Sequence, residues 1–212
     1  MIITYYGKEA FKVQLGDLTI ALNPVSKKSK SGVKPTRFGA NIGLVSLNHP
    51  DFNGVDGLSY GDKEPFLIDG PGEYEVKGVV IKGFLVKTEY EKEEKINTIY
   101  YLTIDGMHLC FLGAVSDVQI SGKIRELMGV IDITFVPIGG GDVLDASSAH
   151  RISRSLNSKI IIPMDYKDAK AVELKKFLEE TGAKNGTAID KLTIKKKDLE
   201  GKEGEVVVLS VS

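Results

Sequence analysis

The sequence predicts an α/β (α+β) chain of four layers, with two facing sheets inside and helices outside. Three observations carry that prediction. Short β-branched and apolar runs fill the first half and return in the second. Hairpin signals at Gly16-Asp17 and Asp105-Gly106 mark antiparallel pairs. A faint internal symmetry repeats one series: "FKVQLGDLTIALNP" then "NIGLVSLNHPD" gives hairpin, connection, buried strand and polar loop, as do "YYLTIDGMHLCFLG" and "IDITFVPIGGGD". Two such halves bury their apolar faces by packing sheet on sheet.

Taken in order, "MIITYYG" is short, apolar and β-branched, and reads as a strand. "AFKVQLGDLTIALNP" is the first hairpin. Residues 26–39, "SKKSKSGVKPTRFG", are polar, basic and free of acids, and read as a loop. "NIGLVSL" is a buried strand. "PFLIDGPGEYEVKGVVIKGFLVKTEY" gives strands punctuated at Asp69-Gly70-Pro71-Gly72. "EYEKEEK", 89–95, reads as a solvated hairpin tip, and "INTIYYLTIDGMHLCFLG" as a second long hairpin. A short helix is expected over 118–128, a strand at "IDITFVPI", and a glycine loop at "GGGD". Asp145 is placed to cap a helix through Leu156. "SKIIIPM" is a buried strand, and "AKAVELKKFLEETG" an amphipathic helix stopped by Gly182. "KLTIKKKDL" and "EVVVLSVS" close the chain as strands.

The 212 residues are most simply one domain, 1–212. Lys plus Arg is 28 and Asp plus Glu 29, a balance that gives no reason to expect a nucleic-acid or anionic-membrane partner. Hydrophobic residues at 42% and charged at 27% exclude a disordered chain. No apolar run approaches the roughly 18 residues of a membrane helix. The start lacks the basic and long apolar regions of a signal peptide. The single cysteine, Cys110, permits no intramolecular disulfide, so a cytoplasmic setting is expected.

"SLNHPDFNG", residues 46–54, carries the chemistry. His49 and Asp51 are spaced as metal ligands often are, while Leu47 and Phe52 beside them coordinate nothing. With "ITYYGKEAFKVQLGDLTIALNP", "FLIDGPGEYEVKGVVIKG", "LCFLG", "FVPIGGGDVLDA" and "KIIIPMDY", in this order, the chain resembles the metallo-β-lactamase superfamily, from Met1 to about Tyr166. The closer likeness is to its metal-dependent hydrolases related to L-ascorbate-6-phosphate lactonase.

The resemblance implies an αββα sandwich and a metal site built on a His-x-His-x-Asp-His motif. In an extended segment alternate residues point the same way, so two histidines two apart can hold one ion. Carried over, the first motif histidine falls on Leu47, the second on His49, the aspartate on Asp51 and the next histidine on Phe52. The later-strand histidine falls on Phe111, the bridging aspartate on Ala114 and the final histidine on Asp165. Leu, Phe and Ala have no lone pair for a metal, and zinc takes about four ligands, mostly N and S. Without a held metal, no bound water is brought to a pKa near 7.

The expectation is therefore a pseudoenzyme with a degenerate active site, a non-catalytic ligand-binding or scaffold protein needing no cofactor. Its cleft would hold Lys8, Asn48, His49, Asp51, Asn53 and Asp165. One alternative is a metal-dependent hydrolase with a reduced site, in which His49, Asp51 and Asp165 hold one divalent ion, Mn, Mg or Zn. Another is a partner-binding assembly protein. A small molecule or a protein, including a second copy, remains open as partner. The resembling branch carries Gly-His after its first strand. Here the pair is Gly7-Lys8, so the Lys8 ammonium is expected within about 4 Å of Asp51 or Asp165.

The remaining candidates have plainer readings. His49 can instead hold a loop, and Asp51 can cap the turn through Asn53. His108 and His150 read as surface or hydrogen-bonded histidines, and Cys110 as a buried inert thiol. The "GGGD" loop can cradle a phosphate or simply make a tight connection. The basic loop with Lys27, Lys28, Lys30, Lys34 and Arg37 can meet an anionic ligand or RNA, and more simply reads as solvated. Glu73 and Glu75 share one strand face, as paired carboxylates or as an exposed edge.

Overall fold

Among the described residues, thirteen strands form two sheets. A computed structural model describes the chain except residues 120, 121, 123–125, 127 and 184–186. The first sheet takes β1 (Ile2–Tyr5), β2 (Phe11–Leu15), β3 (Leu18–Leu22), β4 (Ile42–Leu44), β5 (Phe66–Ile68) and β12 (Leu192–Thr193), in the order β12-β1-β2-β3-β4-β5. The second takes β6 (Gly72–Val76), β7 (Val79–Tyr90), β8 (Glu93–Ile104), β9 (Met107–Phe111), β10 (Ile133–Pro137), β11 (Ile160–Met164) and β13 (Glu205–Val206), in the order β13-β11-β10-β9-β8-β7-β6.

The internal symmetry is present in the pairing. From β1 to β5 the pairs run antiparallel, antiparallel, parallel, parallel. From β7 to β11 they run in the same series. The Asp69–Gly72 turn is the crossing from one sheet to the other, since β5 and β6 belong to different sheets. One core fills the space between them, with Ile3, Tyr5, Phe11 and Ile20 from one side and Ile81, Ile99, Leu109 and Phe135 from the other. Strands with both neighbours and both faces covered read as continuous apolar runs, as "ITFVP" and "IIIPM" do.

Helix α1 (Ala146–Leu156) begins as expected, with the Asp145 carboxylate accepting from Ser148 N at 2.8 Å, and ends at Asn157 in the left-handed region. Helix α2 (Val172–Thr181) stops at Gly182, φ 69°. It starts later than the apolar pattern suggested, because Ala171 is extended and offers no side-chain cap. The helix expected over 118–128 falls largely outside the described residues. Over the first sheet the outer layer is thinner: the chain after β4 makes only a 3₁₀ turn, Val55–Gly57, and Leu58 covers Gly43.

The end of "KLTIKKKDL" is a 3₁₀ turn at Lys196–Leu199, not strand. The tip at 89–95 is a hairpin end in solvent as expected, exposed at Glu89 and from Glu91 to Glu94. Strands β7 and β8 run almost to its end and leave Glu91-Lys92 as a two-residue turn, both at positive φ. Within the tip only Tyr90 is buried. Among the described residues, no helix is long and apolar enough to cross a membrane.

Candidate functional site

The loops that follow β1, β3, β4, β10 and β11 gather at one end of the two sheets. They bound a cleft of about 1010 Å³, within reach of Lys8, His49, Asp51, Tyr90, Gly139 and Asp165. Parallel strands place their following loops together in this way.

At the floor the two sheets are tied by backbone. The Asp165 N–H donates to Lys8 O at 2.5 Å and to the Tyr5 phenol oxygen at 3.1 Å. The Tyr5 hydroxyl donates to Lys8 O at 2.7 Å. Above this tie the Lys8 ammonium meets Asp165 Oδ2 at 3.0 Å, the contact expected from sequence. The two side chains are only 18% and 13% exposed, so solvent screens the pair weakly. Burial lowers the Lys8 pKa, but the Asp165 charge and hydrogen bond outweigh it, and the net direction is up. Burial pushes Asp165 up against the pull of Lys8. At 3.0 Å the Asp165 carboxylate favours the charged ammonium. Both residues hold left-handed backbone, φ 53° and 63°, a strain that persists where surroundings fix it.

The "HPDF" turn lies beside this pair. Phe52 N–H and Asn53 N–H both donate to His49 O, at 2.8 and 3.0 Å. The capping role considered for Asp51 is not found: its carboxylate accepts from the Ser29 hydroxyl and, at 2.9 Å, from the Tyr90 hydroxyl. His49 holds the loop, since its Nδ1 accepts the Asp51 N–H at 3.2 Å. That bond puts the neutral ring's proton on Nε2, which faces Glu91 Oε2 at 3.3 Å.

The positions where the resemblance implies further ligands are packed apolar. Leu47, Phe52 and Ala114 form a small cluster with Tyr90 and Val143. Phe111 belongs to the main core, edge-on to Phe135 at 5.8 Å. The Lys8 ammonium stands 5.9 Å from the Phe52 ring centre and 5.8 Å from that of Tyr90, in the range of cation–π attraction. These residues do not fit a metal ion of the kind the resemblance implies. An ammonium pairs with one carboxylate, two hydroxyls engage the other, and four positions carry no donor. Among the described residues no group of three His, Cys, Asp or Glu is placed to hold a metal.

Sequence reasoning missed a buried polar chain beneath the floor. Glu9, wholly buried, accepts from Asn23 Nδ2 at 2.8 Å. Asn23 Nδ2 also donates to Ser46 Oγ, and Ser46 N–H donates back to Asn23 Oδ1 at 2.7 Å. Glu9 Oε1 has no hydrogen-bond partner among the described residues. Burial raises the Glu9 carboxyl well above its ordinary range, and the Asp165 charge adds to it. In "GKEAF" nothing distinguishes this glutamate from a solvated turn charge. Tyr90 and Glu91 were likewise hidden by the charge run around them, although an aromatic among acids was a usable signal. Burial, then the Asp51 charge, keep the Tyr90 hydroxyl protonated as a donor.

Other candidates sort as follows. Asn48 and Asn53 bond each other at 2.8 Å and are not among the residues lining the cleft. His108 lies 3.2 Å from Thr103 Oγ1 and stacks on Tyr101, while His150 faces Glu180. Cys110 is buried and its thiol pushed up by burial, hence inert. Glu73 and Glu75 are exposed on edge strand β6. In the "GGGD" loop Gly139 permits a close approach, since a Cβ there would lie 2.9 Å from Asp165 O. The basic loop is not only solvated: Lys28, Lys30 and Lys34 line the cleft.

A family model described as a beta-lactamase superfamily domain matches residues 2–165. Among curated proteins, one named metal-dependent hydrolase from Bacillus licheniformis is 23% identical over 206 residues, covering 82% of this chain and 88% of its own. Another of that name from Listeria innocua is 22% identical over 207 residues, with the same coverage. Among solved structures, a candidate zinc-dependent hydrolase of the metallo-β-lactamase superfamily from Thermotoga maritima superposes with a TM-score of 0.75 at 27% identity, covering 98% of this chain and 97% of its own. A metallo hydrolase from Ignicoccus hospitalis shares the fold at a TM-score of 0.65 and 17% identity, covering 100% of this chain and 95% of its own. Two facing sheets of matched pairing and a family match over most of the length make this chain a member of the metallo-β-lactamase superfamily.

Proposed function

We propose that this protein binds a small molecule in the cleft and does not hydrolyse it through a metal. One observation carries the reading: the Lys8 ammonium sits against Asp165 and the rings of Phe52 and Tyr90, above an apolar cluster of Leu47, Phe52 and Ala114. A cation there opposes a second cation by charge, and the apolar floor offers it no donor. The cleft has the size of a small-molecule pocket. A single buried cysteine supports a reducing, cytoplasmic setting.

Purified without added metal, the protein is expected to carry well under one equivalent of zinc by elemental analysis. Lactonase, phosphodiesterase and β-lactam hydrolysis should stay at background. Stoichiometric zinc that survives dialysis against a chelator, with turnover lost in His49→Ala, would overturn the reading. The names of the relatives favour a second reading, a hydrolase using His49, Asp51 and Asp165 around one hard divalent ion. Manganese- or magnesium-dependent turnover, lost in Asp165→Asn, would establish it instead.

A further inference from the structure

The charges of the cleft are sorted by sheet. The β3–β4 loop of the first sheet brings Lys28, Lys30 and Lys34 to the lining, all exposed. None of the three makes an ion pair among the described residues. Connections within the second sheet bring Glu91 and Asp142, and the first turn of helix α2, which follows β11, brings Glu173. Of these, Glu91 reaches His49, while Asp142 and Glu173 have no ion pair among the described residues. At the floor the two sets touch once, through Lys8 and Asp165 at 3.0 Å. Above that contact, opposite charges line one open space without meeting. Two residues break the pattern. Asp51 is on the basic side, with both oxygens engaged by hydroxyls. Lys167 is on the acidic side and exposed.

This arrangement selects by charge distribution. A purely anionic ligand is drawn to the lysines and repelled by the carboxylates, and a purely cationic one meets the reverse. Within roughly a Debye length, about 8 Å at physiological salt, neither repulsion is screened away. A molecule with opposite charges at its two ends gains from both sides. Tyr6, Val33 and Val211 give the cleft apolar surface that a hydrocarbon spacer can cross. We infer that the ligand is a bipolar small molecule, with an oxyanion group held by Lys28, Lys30 and Lys34 and an amine held by Asp142 and Glu173. This rests on the ligand-binding reading and specifies its chemistry.

Titration calorimetry on the full chain tests it, with ω-aminoalkylphosphonates of graded length as probes. Alkylphosphonates and alkylamines of the same lengths are the monopolar controls. The expected result is an affinity that peaks at one chain length and exceeds both controls by about tenfold or more. The triple variant Lys28→Ala, Lys30→Ala, Lys34→Ala should reduce the best probe to the level of the amine control. Asp142→Asn with Glu173→Gln should reduce it to the phosphonate control. All five side chains reach solvent, so these variants are expected to fold. A phosphonate control that binds as tightly as the bipolar probe overturns the inference, and so does an absence of binding across the series. Zinc content and hydrolysis, read on the same sample, test the non-hydrolytic reading separately, so either can fail while the other stands.

Discussion

Lys8 is the residue on which the floor of the cleft depends. Its ammonium has three neighbours that favour charge: the Asp165 carboxylate and two aromatic faces. Lys8→Ala would leave Asp165 buried and unpaired, and should destabilise the fold by about 3 kcal/mol in urea denaturation. A loss under about 1 kcal/mol would mean the pair behaves as a surface contact. Glu9 gives a prediction in pH. Burial raises its carboxyl well above the ordinary 4.5, so the native state holds the proton more strongly than the unfolded state. Its contribution is then fullest below 4.5 and is lost as pH rises through the folded value. Glu9→Gln keeps an acceptor for Asn23 and cannot ionise. Its melting temperature should exceed that of the wild type at alkaline pH, with the gap closing as pH falls toward 4.5. A gap that does not change with pH would show that Glu9 is not the titrating group. Lys8 was legible because a family position changed its residue type. Glu9 was not, since burial of a charge in a turn depends on what the rest of the chain folds over it.

Among elements, the β7–β8 hairpin adds most to the sequence reading. Its charge run lies in water as expected, yet the strands continue through it and deliver Tyr90 to Asp51 and Glu91 to His49. Glu91 and Lys92 take φ 53° and 62° without being glycine, in a turn that usually selects Asn-Gly. The Glu91 N–H donates to Asp142 at 3.1 Å, which helps to hold the turn in place. Lys92→Gly should relieve the left-handed strain and stabilise the fold by about 1 kcal/mol, read from the urea midpoint. No change would show that the turn is unstrained. The Gly16-Asp17 and Asp105-Gly106 hairpins were legible because their turn chemistry is local. The start of α2 and the 3₁₀ ending at Lys196–Leu199 were not, because tertiary packing sets those boundaries.

At the scale of the molecule, one pairing series used twice builds two sheets whose loops converge at one end. The repeat was visible as hairpin, connection and buried strand, which sufficed for the fold class. The convergence of the basic loop with carboxylates from separate connections was not, since it joins residues far apart in sequence. The overall balance of 28 basic and 29 acidic residues concealed a local separation of charge. If that separation shapes recognition, binding of a bipolar probe should weaken as sodium chloride rises, through loss at both ends. An affinity unchanged by salt would place the binding energy in apolar contact instead.

The Tyr5 phenol and the Asp165 amide also act as a rivet between the two sheets. Around it the Lys8 carbonyl, the Asp165 N–H and the Tyr5 hydroxyl close a small ring of bonds in the interior. A cleft fastened at its base opens by flexing its rim. In amide hydrogen exchange, the Asp165 N–H should persist among the slowest in the chain. The amides of the Lys27–Lys34 segment, more exposed and free of sheet bonds, should exchange early. Motion of this kind would let the lysine wall travel toward a guest while the base keeps its shape, so that capture is a matter of one jaw closing on another that stays still.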